Sequence, residues 1–233
     1  MNKVLILGDG ILGKELHLQT GWEYISRKKD NFDITDISTF NKILRVEHGV
    51  IQYCPYDVIV NAIAYTDSYS QDNTLHYAIN YKGVAELVQF CNRWKTKLVH
   101  ISTEFVYANN PYPPTEEDVP QPDNNWYAYT KLLADEHVKM FSNNYLICRE
   151  LHKPNDFSPA YVWDVKTNGD KVKNIAPLII KLINKNATGI FNVGNCEKSL
   201  KELSPDSQII LPPKHVPYDT RMNLNKLNTF LDE

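Results

Sequence analysis

Lys3-Val-Leu-Ile-Leu-Gly-Asp-Gly-Ile-Leu-Gly13 decides the reading of this chain. A strand-like apolar run leads straight into Gly8, Gly10 and Gly13, spaced as GxGxxG, and a helical pattern follows from Ile11 to Gln19. The first glycine permits a tight turn and the second lets a pyrophosphate approach the backbone. The third lets helix and strand pack closely, while the amides of the first helical turn face an anion. Gly8, Gly10, Ile11, Leu12 and Gly13 are therefore candidate dinucleotide contacts. The competing reading is a plain glycine turn; the strand-turn-helix setting favours the binding loop.

Working outward, the alternation continues. Apolar runs of strand length stand at Glu23 to Ser26, Asp57 to Asn61, Leu98 to Ser102, Tyr145 to Arg149 and Gly189 to Gly194. Between them lie an amphipathic stretch from Asp36 to Val46 and helical patterns at Asn73 to Trp94, Asn125 to Phe141 and Val172 to Asn184. A short helix is expected near Asn223 to Leu231, after a mostly loop-like remainder. Near-continuous Val/Ile/Leu strands separated by helices predict an α/β fold: a Rossmann doubly wound parallel sheet covered on both faces. Residues 1–150 are expected to form an NAD(P)-binding domain. Residues 151–233 form a small, shortened C-terminal substrate-binding portion, with a helix and a strand returning to the sheet. Ligands of such sheets bind beyond the carboxyl ends of the strands, where Gly8, Asn61 and Thr103 all fall.

A chain of 233 residues can bury a substantial core. Lysine and arginine number 25 against 28 acidic residues, a net charge of −3 with no basic stripe, which excludes nucleic acid or an anionic membrane as the main partner. No apolar run approaches the ~20 residues of a membrane span, and the N-terminus enters a strand directly, so a cytoplasmic protein is expected. Cys54, Cys91, Cys148 and Cys196 are scattered without metal-ligand spacing and read as free thiols.

Chemistry is suggested by Asn125-Trp-Tyr-Ala-Tyr-Thr-Lys131. On a helix Tyr127 and Lys131, at i and i+4, share a face. A phenol, with a pKa of about 10, must fall by roughly three units to pass a proton at neutral pH, about 4 kcal/mol, and an adjacent ammonium supplies part of that. With 14 tyrosines the spacing also arises by accident, as at Tyr24 and Lys28, where no helical pattern follows. At the end of the second strand, Ser26 and Arg27 stand where a carboxylate would hold a ribose diol. A guanidinium there favours a 2′-phosphate, hence NADPH with NADH possible, against an ordinary solvated basic loop.

These segments resemble the extended short-chain dehydrogenase/reductases, and within them the dTDP-4-dehydrorhamnose reductase family. The likeness is carried by Asp33-Ile-Thr-Asp36, Asp57 to Thr66, Ala78-Ile-Asn-Tyr-Lys-Gly83, Leu98 to Tyr107, Pro113 to Pro122 and Tyr127-Ala-Tyr-Thr-Lys131, in family order over most of residues 1–150. The resemblance implies a catalytic trio. Thr103 would hold the substrate carbonyl, Tyr127 would protonate its oxygen, and Lys131 would hold the nicotinamide ribose and lower the phenol pKa. It also places Asn61, Ala62 and Ala64 along the cofactor, flanks the adenine with Asp33 and Ile34, and gives a homodimer built on two long helices. Each position has a plainer reading: Thr103 ends a strand, Asn61 satisfies a turn, and Asp33 caps the stretch beginning near Asp36.

Thr103, Glu104 and Arg149 form the expected substrate side, although Arg149 also suits a core ion pair. Glu104 is followed by Phe105, whereas the related dehydratases place two acids after the threonine, and no cysteine adjoins Thr103 as in epimerase/reductases. His100 reads as a packed strand residue. The reading is thus NADPH-dependent reduction of a 4-keto-6-deoxy nucleotide sugar in deoxysugar or polysaccharide synthesis. A nucleotide-sugar epimerase with retained NAD(P) and a non-catalytic NAD(P)-binding subunit are the alternatives.

Overall fold

The computed structural model describes residues 2–48, 50–68, 70–111, 113–213 and 217–232. Residues 214–216, part of the loop expected near the end, lie outside the described residues. Chain order runs β1 (Val4–Leu7), α1 (Ile11–Thr20), β2 (Glu23–Ile25), β3 (Val58–Asn61), α2 (Gly83–Trp94) and β4 (Lys97–Thr103). It continues through α3 (Trp126–Phe141), β5 (Tyr145–Glu150), α4 (Val172–Asn184), β6 (Gly189–Val193) and α5 (Asn225–Asp232).

The strands form one parallel sheet in the order β6-β5-β4-β3-β1-β2. Side chains alternate across it, as strand geometry requires. Val4, Ile6, Val58, Val60, Val99 and Ile101 face a core shared with Leu12 and Leu16 of α1 and Ile175, Ile179 and Leu182 of α4. Leu5, Leu7, Ile59, Leu98 and Ile147 face the opposite core, against Val84, Leu87 and Val88 of α2 and Ala134 and Val138 of α3. Each such buried Val, Leu or Ile contributes on the order of 1.5–3 kcal/mol. The expected doubly wound Rossmann sheet is the observed fold. Strand order reverses between β1 and β3, the switch point at which ligands of open α/β sheets bind.

Three regions differ from expectation. The stretch from Asp36 to Val46 becomes a 3-10 helix, Ile37–Ile43, followed by a hairpin of Arg45–Glu47 with Val50–Tyr53. Phe40 and Ile43, its buried residues, are three apart, a spacing that a 3-10 turn serves as well as an α turn. The helix from Asn73 to Trp94 contains a π stretch, His76–Lys82. Beyond β5, ladders of two or three residues pair His152–Lys153 with Asp170–Lys171, Tyr161–Trp163 with Gln208–Ile210, and Lys166–Thr167 with Lys198–Ser199. Strands so short carry no readable alternation. They close over a small core of Val162, Val165, Leu200 and Leu203.

Candidate active site

At the switch point, backbone geometry makes the site. Gly8 has φ +104°, a left-handed conformation that glycine favours, and its amide donates to Ile25 O at 2.9 Å. A Cβ on Gly13 would lie 2.2 Å from Gly8 O, so α1 can approach the turn only with glycine there. A Cβ on Gly10 would meet nothing within 4 Å. Gly8, Gly10, Arg27, Asp33, Ile34, Ala62 and Ala64 line one cavity of about 200 Å³, joined by Asp9, Phe32, Ile63 and Ile79. Seven expected cofactor contacts from four chain segments thus meet around one space. Its glycine turn and single guanidinium fit the phosphate-bearing half of a dinucleotide.

Other expected contacts support the cavity from behind. Leu12 is in the core, and Ile11 is exposed at the start of α1. Ser26 is 1% exposed and caps the short Arg27–Asp30 helix, its Oγ accepting from Lys29 N at 3.1 Å. Its hydroxyl is occupied there; what Ser26 does is fix the place of Arg27. Arg27, with its side chain 81% exposed, lies 3.2 Å from Asp33 Oδ2. Asp33 Oδ1 accepts from the Thr35 amide and hydroxyl at 2.9 and 2.7 Å, while Asp36 caps the following 3-10 helix. Burial works against the ionised Asp33 carboxyl, but the Thr35 bonds and Arg27 hold its pKa below the ordinary value. Asn61 is fully buried, its Oδ1 accepting from Ile63 N at 3.2 Å and its Nδ2 facing His100 Nδ1 at 3.4 Å. It therefore holds the β3 turn, as its plainer reading had it.

The second half lies at the ends of β4 and β5. Asn125 caps α3, accepting from Ala128 N at 2.8 Å, which sets Tyr127 in the first turn and Lys131 one turn later. Tyr127 is half-buried, its phenol near the Thr103 hydroxyl, with Phe105 and His76 rings at 6.3 and 6.5 Å. Thr103 and Tyr127 are thus brought together. Lys131 is 1% exposed; its Nζ donates to Ile101 O at 2.6 Å and lies 3.3 Å from His100 Nε2.

That arrangement corrects the electrostatic expectation. The shared face is real, but the ammonium is turned onto a carbonyl and an imidazole. Burial pushes the Tyr127 phenol up rather than down, and Glu104, Glu150 and Asp135 add to the rise, with only Thr103 opposing. Burial also pulls Lys131 down to about 8, against the pull of Asp135 and Glu150.

Arg149 takes the core ion pair, one of its two readings. It is 1% exposed, its Nε 2.9 Å from Asp135 Oδ2 and its Nη1 hydrogen-bonded to the Tyr107 hydroxyl. It is paired in the core as the sequence allowed.

His100, read from sequence as a packed strand residue, is buried between Asn61 and Lys131 and also faces Asp135 Oδ1 at 3.7 Å. Other residues had no assigned role from sequence. Asn80, within the π stretch, clamps both the amide and the carbonyl of Tyr65 at 2.7 and 3.0 Å, tying the chain beyond Ala64 to the helix. Glu150 pairs in register with Thr103 and holds His152 Nδ1 at 2.9 Å. A second carboxylate therefore stands beside Glu104 after all, supplied by a neighbouring strand. Beside Glu104, a cavity of about 50 Å³ is lined by Phe105, Lys153, Trp163, Leu200 and others.

Comparison with known proteins adds a family. The model described as RmlD substrate binding domain matches residues 1–151. A dTDP-4-dehydrorhamnose reductase of Mycobacterium tuberculosis is 32% identical over 141 residues, 55% of this chain and 42% of its own length. The chain thus spans less than half of that relative. The spore coat polysaccharide biosynthesis protein SpsK of Bacillus subtilis is 28% identical over 217 residues, 84% of this chain and 74% of its own length. Among solved structures, a dTDP-4-dehydrorhamnose reductase of Bacillus anthracis in complex with NADP superposes with a TM-score of 0.79 at 23% identity, covering 98% of this chain and 92% of that one.

Proposed function

The chain belongs to the RmlD substrate binding domain family, and from that premise we propose that it is an NADPH-dependent reductase of a 4-keto-6-deoxy nucleotide sugar. The single observation that carries the reading is the convergence of the Thr103 and Tyr127 side chains at the carboxyl edge of the sheet that also holds the glycine turn. Thr103 and Tyr127 are the pair that grips a carbonyl oxygen, and Tyr127 gives it a proton. The bound nicotinamide supplies the hydride. Lys131 holds the ribose beside it once its Nζ leaves Ile101 O. Gly8, Gly10, Ala62 and Ala64 cradle the dinucleotide, while Arg27 takes the 2′-phosphate. The NADP-bound Bacillus anthracis relative supports the choice of NADPH.

A homodimer is part of the proposal. Tyr77, Tyr81, His137 and Phe141 form one chain of ring contacts across the outer faces of the π stretch and α3, with Tyr77 and Phe141 half exposed. Aromatic faces of this kind suit a second copy of the chain. Cytoplasmic action is supported by free thiols at Cys54, Cys91, Cys148 and Cys196 and by the lack, among the described residues, of a helix able to cross a membrane.

The test is consumption of NADPH with freshly prepared dTDP- or UDP-4-keto-6-deoxyglucose. The small cavity beside Glu104 favours one rival, a binding subunit without turnover. Intact NADPH affinity with no consumption on either sugar would decide for that rival.

A further inference from the structure

The chain turns at Thr103 into the 3-10 helix Glu104–Tyr107, capped by Thr103 Oγ1, which accepts from Phe105 N at 3.3 Å. The turn folds Glu104 back onto its neighbour, so that Thr103 Oγ1 donates to Oε2 at 3.2 Å. Thr103 is thus bonded to Glu104 while its hydroxyl also lies near the Tyr127 phenol. Glu104 is 1% exposed, and its Oε1 is a buried oxygen with no hydrogen-bond partner among the described residues. Glu150 on β5, His152 and Lys153 on the strand beyond, and Tyr127 on α3 are the titratable groups that face it. An ionised carboxylate with an unmet oxygen is costly in such a place, and a neutral carboxylic acid is far less so. Burial, with Glu150 adding to it and Glu104's own amide, Lys153 and the Thr103 bond opposing, lifts the carboxyl to about 8. Glu104 therefore keeps its proton at neutral pH.

We propose that Glu104 is the proton store of this site, reloading Tyr127 through the Thr103 hydroxyl after each turnover. The proposal rests on the reductase reading. When the phenol O–H breaks and its proton joins the substrate oxygen, Tyr127 is left as a phenolate among acids, with Lys131 held elsewhere. The Thr103 hydroxyl turns its proton from Glu104 Oε2 to the phenolate and passes it on, and with that hydrogen bond reversed it takes the carboxyl proton of Glu104. Phenol and threonine end as they began, and Glu104 ends as a carboxylate that a solvent proton restores. His152, with its side chain 24% exposed and its Nδ1 on Glu150, stands on the solvent side of this chain of groups. Glu104 acts through Thr103 and is a positioning and proton-supplying group, not one that touches the substrate's reacting carbon.

Glu104→Gln keeps the shape of a protonated glutamic acid but has no acidic proton. With a 4-keto-6-deoxy nucleotide sugar and NADPH, the variant should lose at least tenfold in kcat with KM within a few-fold. The wild-type rate should fall as pH rises through about 8, where the store empties, and that limb should vanish in the variant. A second readout needs no turnover. An acid with a raised folded pKa gives stability that is full below the unfolded value near 4.5 and is lost as pH rises through about 8. Wild-type Tm should therefore drop over that window relative to Glu104→Gln. Unchanged kcat and pH profile in the variant, or parallel Tm curves, would overturn the proposal while leaving the reductase intact. A wild type that reduces no ketone would overturn both.

Discussion

The two ends of the sheet's carboxyl edge are built from different materials. At the β1–β3 end the chain presents backbone: a left-handed glycine, a second glycine open to ligand, and a third pressed against a carbonyl. At the β4–β5 end it presents ionisable side chains shut away from water, Glu104, Lys131, Asp135, Arg149 and Glu150, each leaning on another. A site made of backbone tolerates change anywhere except at its glycines. A site made of buried charge is held by its partners, so a change at one group is felt at the next.

The largest effect should come from the second end. Tyr127→Phe removes the phenol that Thr103 meets, and reduction should fall by about 10²–10⁴-fold while NADPH affinity stays within a few-fold, read by steady-state kinetics and a binding titration. Full activity would remove Tyr127 from its role and break the contrast. Next, Arg149→Met leaves Asp135 buried without its cation, a loss of about 3–5 kcal/mol, or roughly 10 °C or more in Tm for a chain of this size. KM for the sugar in whatever folded protein remains should not move. Adding Asp135→Leu should recover much of the stability, because a buried pair replaced as a unit is often neutral. A Tm within a degree of wild type after Arg149→Met alone would mean that the pair is not held as the structure has it.

The same contrast explains what the sequence disclosed. Glycine spacing is a statement about one turn, so Gly8, Gly10 and Gly13 could be read directly, and the near-continuous apolar strands announced a sheet covered on both faces. Tyr127 and Lys131 were legible as one face of one helix. The direction in which Lys131 Nζ points was not, because Ile101 O and His100 come from β4. Glu150 was passed over for the same reason: it is 46 residues from Glu104 in the chain yet meets Thr103 through strand register. The buried home of Arg149 was only one of two open readings until Asp135 and Tyr107 were seen around it. The distal ladders were illegible because two residues cannot display a period.

A pair of glycine variants sharpens the backbone side. Gly13→Ala forces a methyl group against Gly8 O, which only a shift of α1 can relieve, costing about 1–3 kcal/mol and loosening the dinucleotide turn with it. Gly10→Ala meets no protein atom, so Tm should hold while NADPH affinity falls, since the added methyl occupies space reserved for the ligand. Thermal melts alongside binding titrations separate the two. Equal Tm losses would show that Gly10 serves the fold and not the ligand.

The smallest effect, and the finest test of the cavity, is at Arg27. Its side chain is 81% exposed and its ion pair with Asp33 spans 3.2 Å, so the pair should contribute no more than about 1 kcal/mol to stability. Arg27→Glu should therefore leave Tm nearly unchanged. Affinity is another matter, because the new carboxylate would face the 2′-phosphate that distinguishes NADPH from NADH. NADPH should lose roughly tenfold or more, about 1.4 kcal/mol, while NADH changes little. The sign with pH follows from the phosphate: its second pKa is near 6, so the discrimination of wild type for NADPH should shrink as pH falls below about 6. Equal losses for both cofactors would place the 2′ position away from Arg27 and return that residue to the solvated loop.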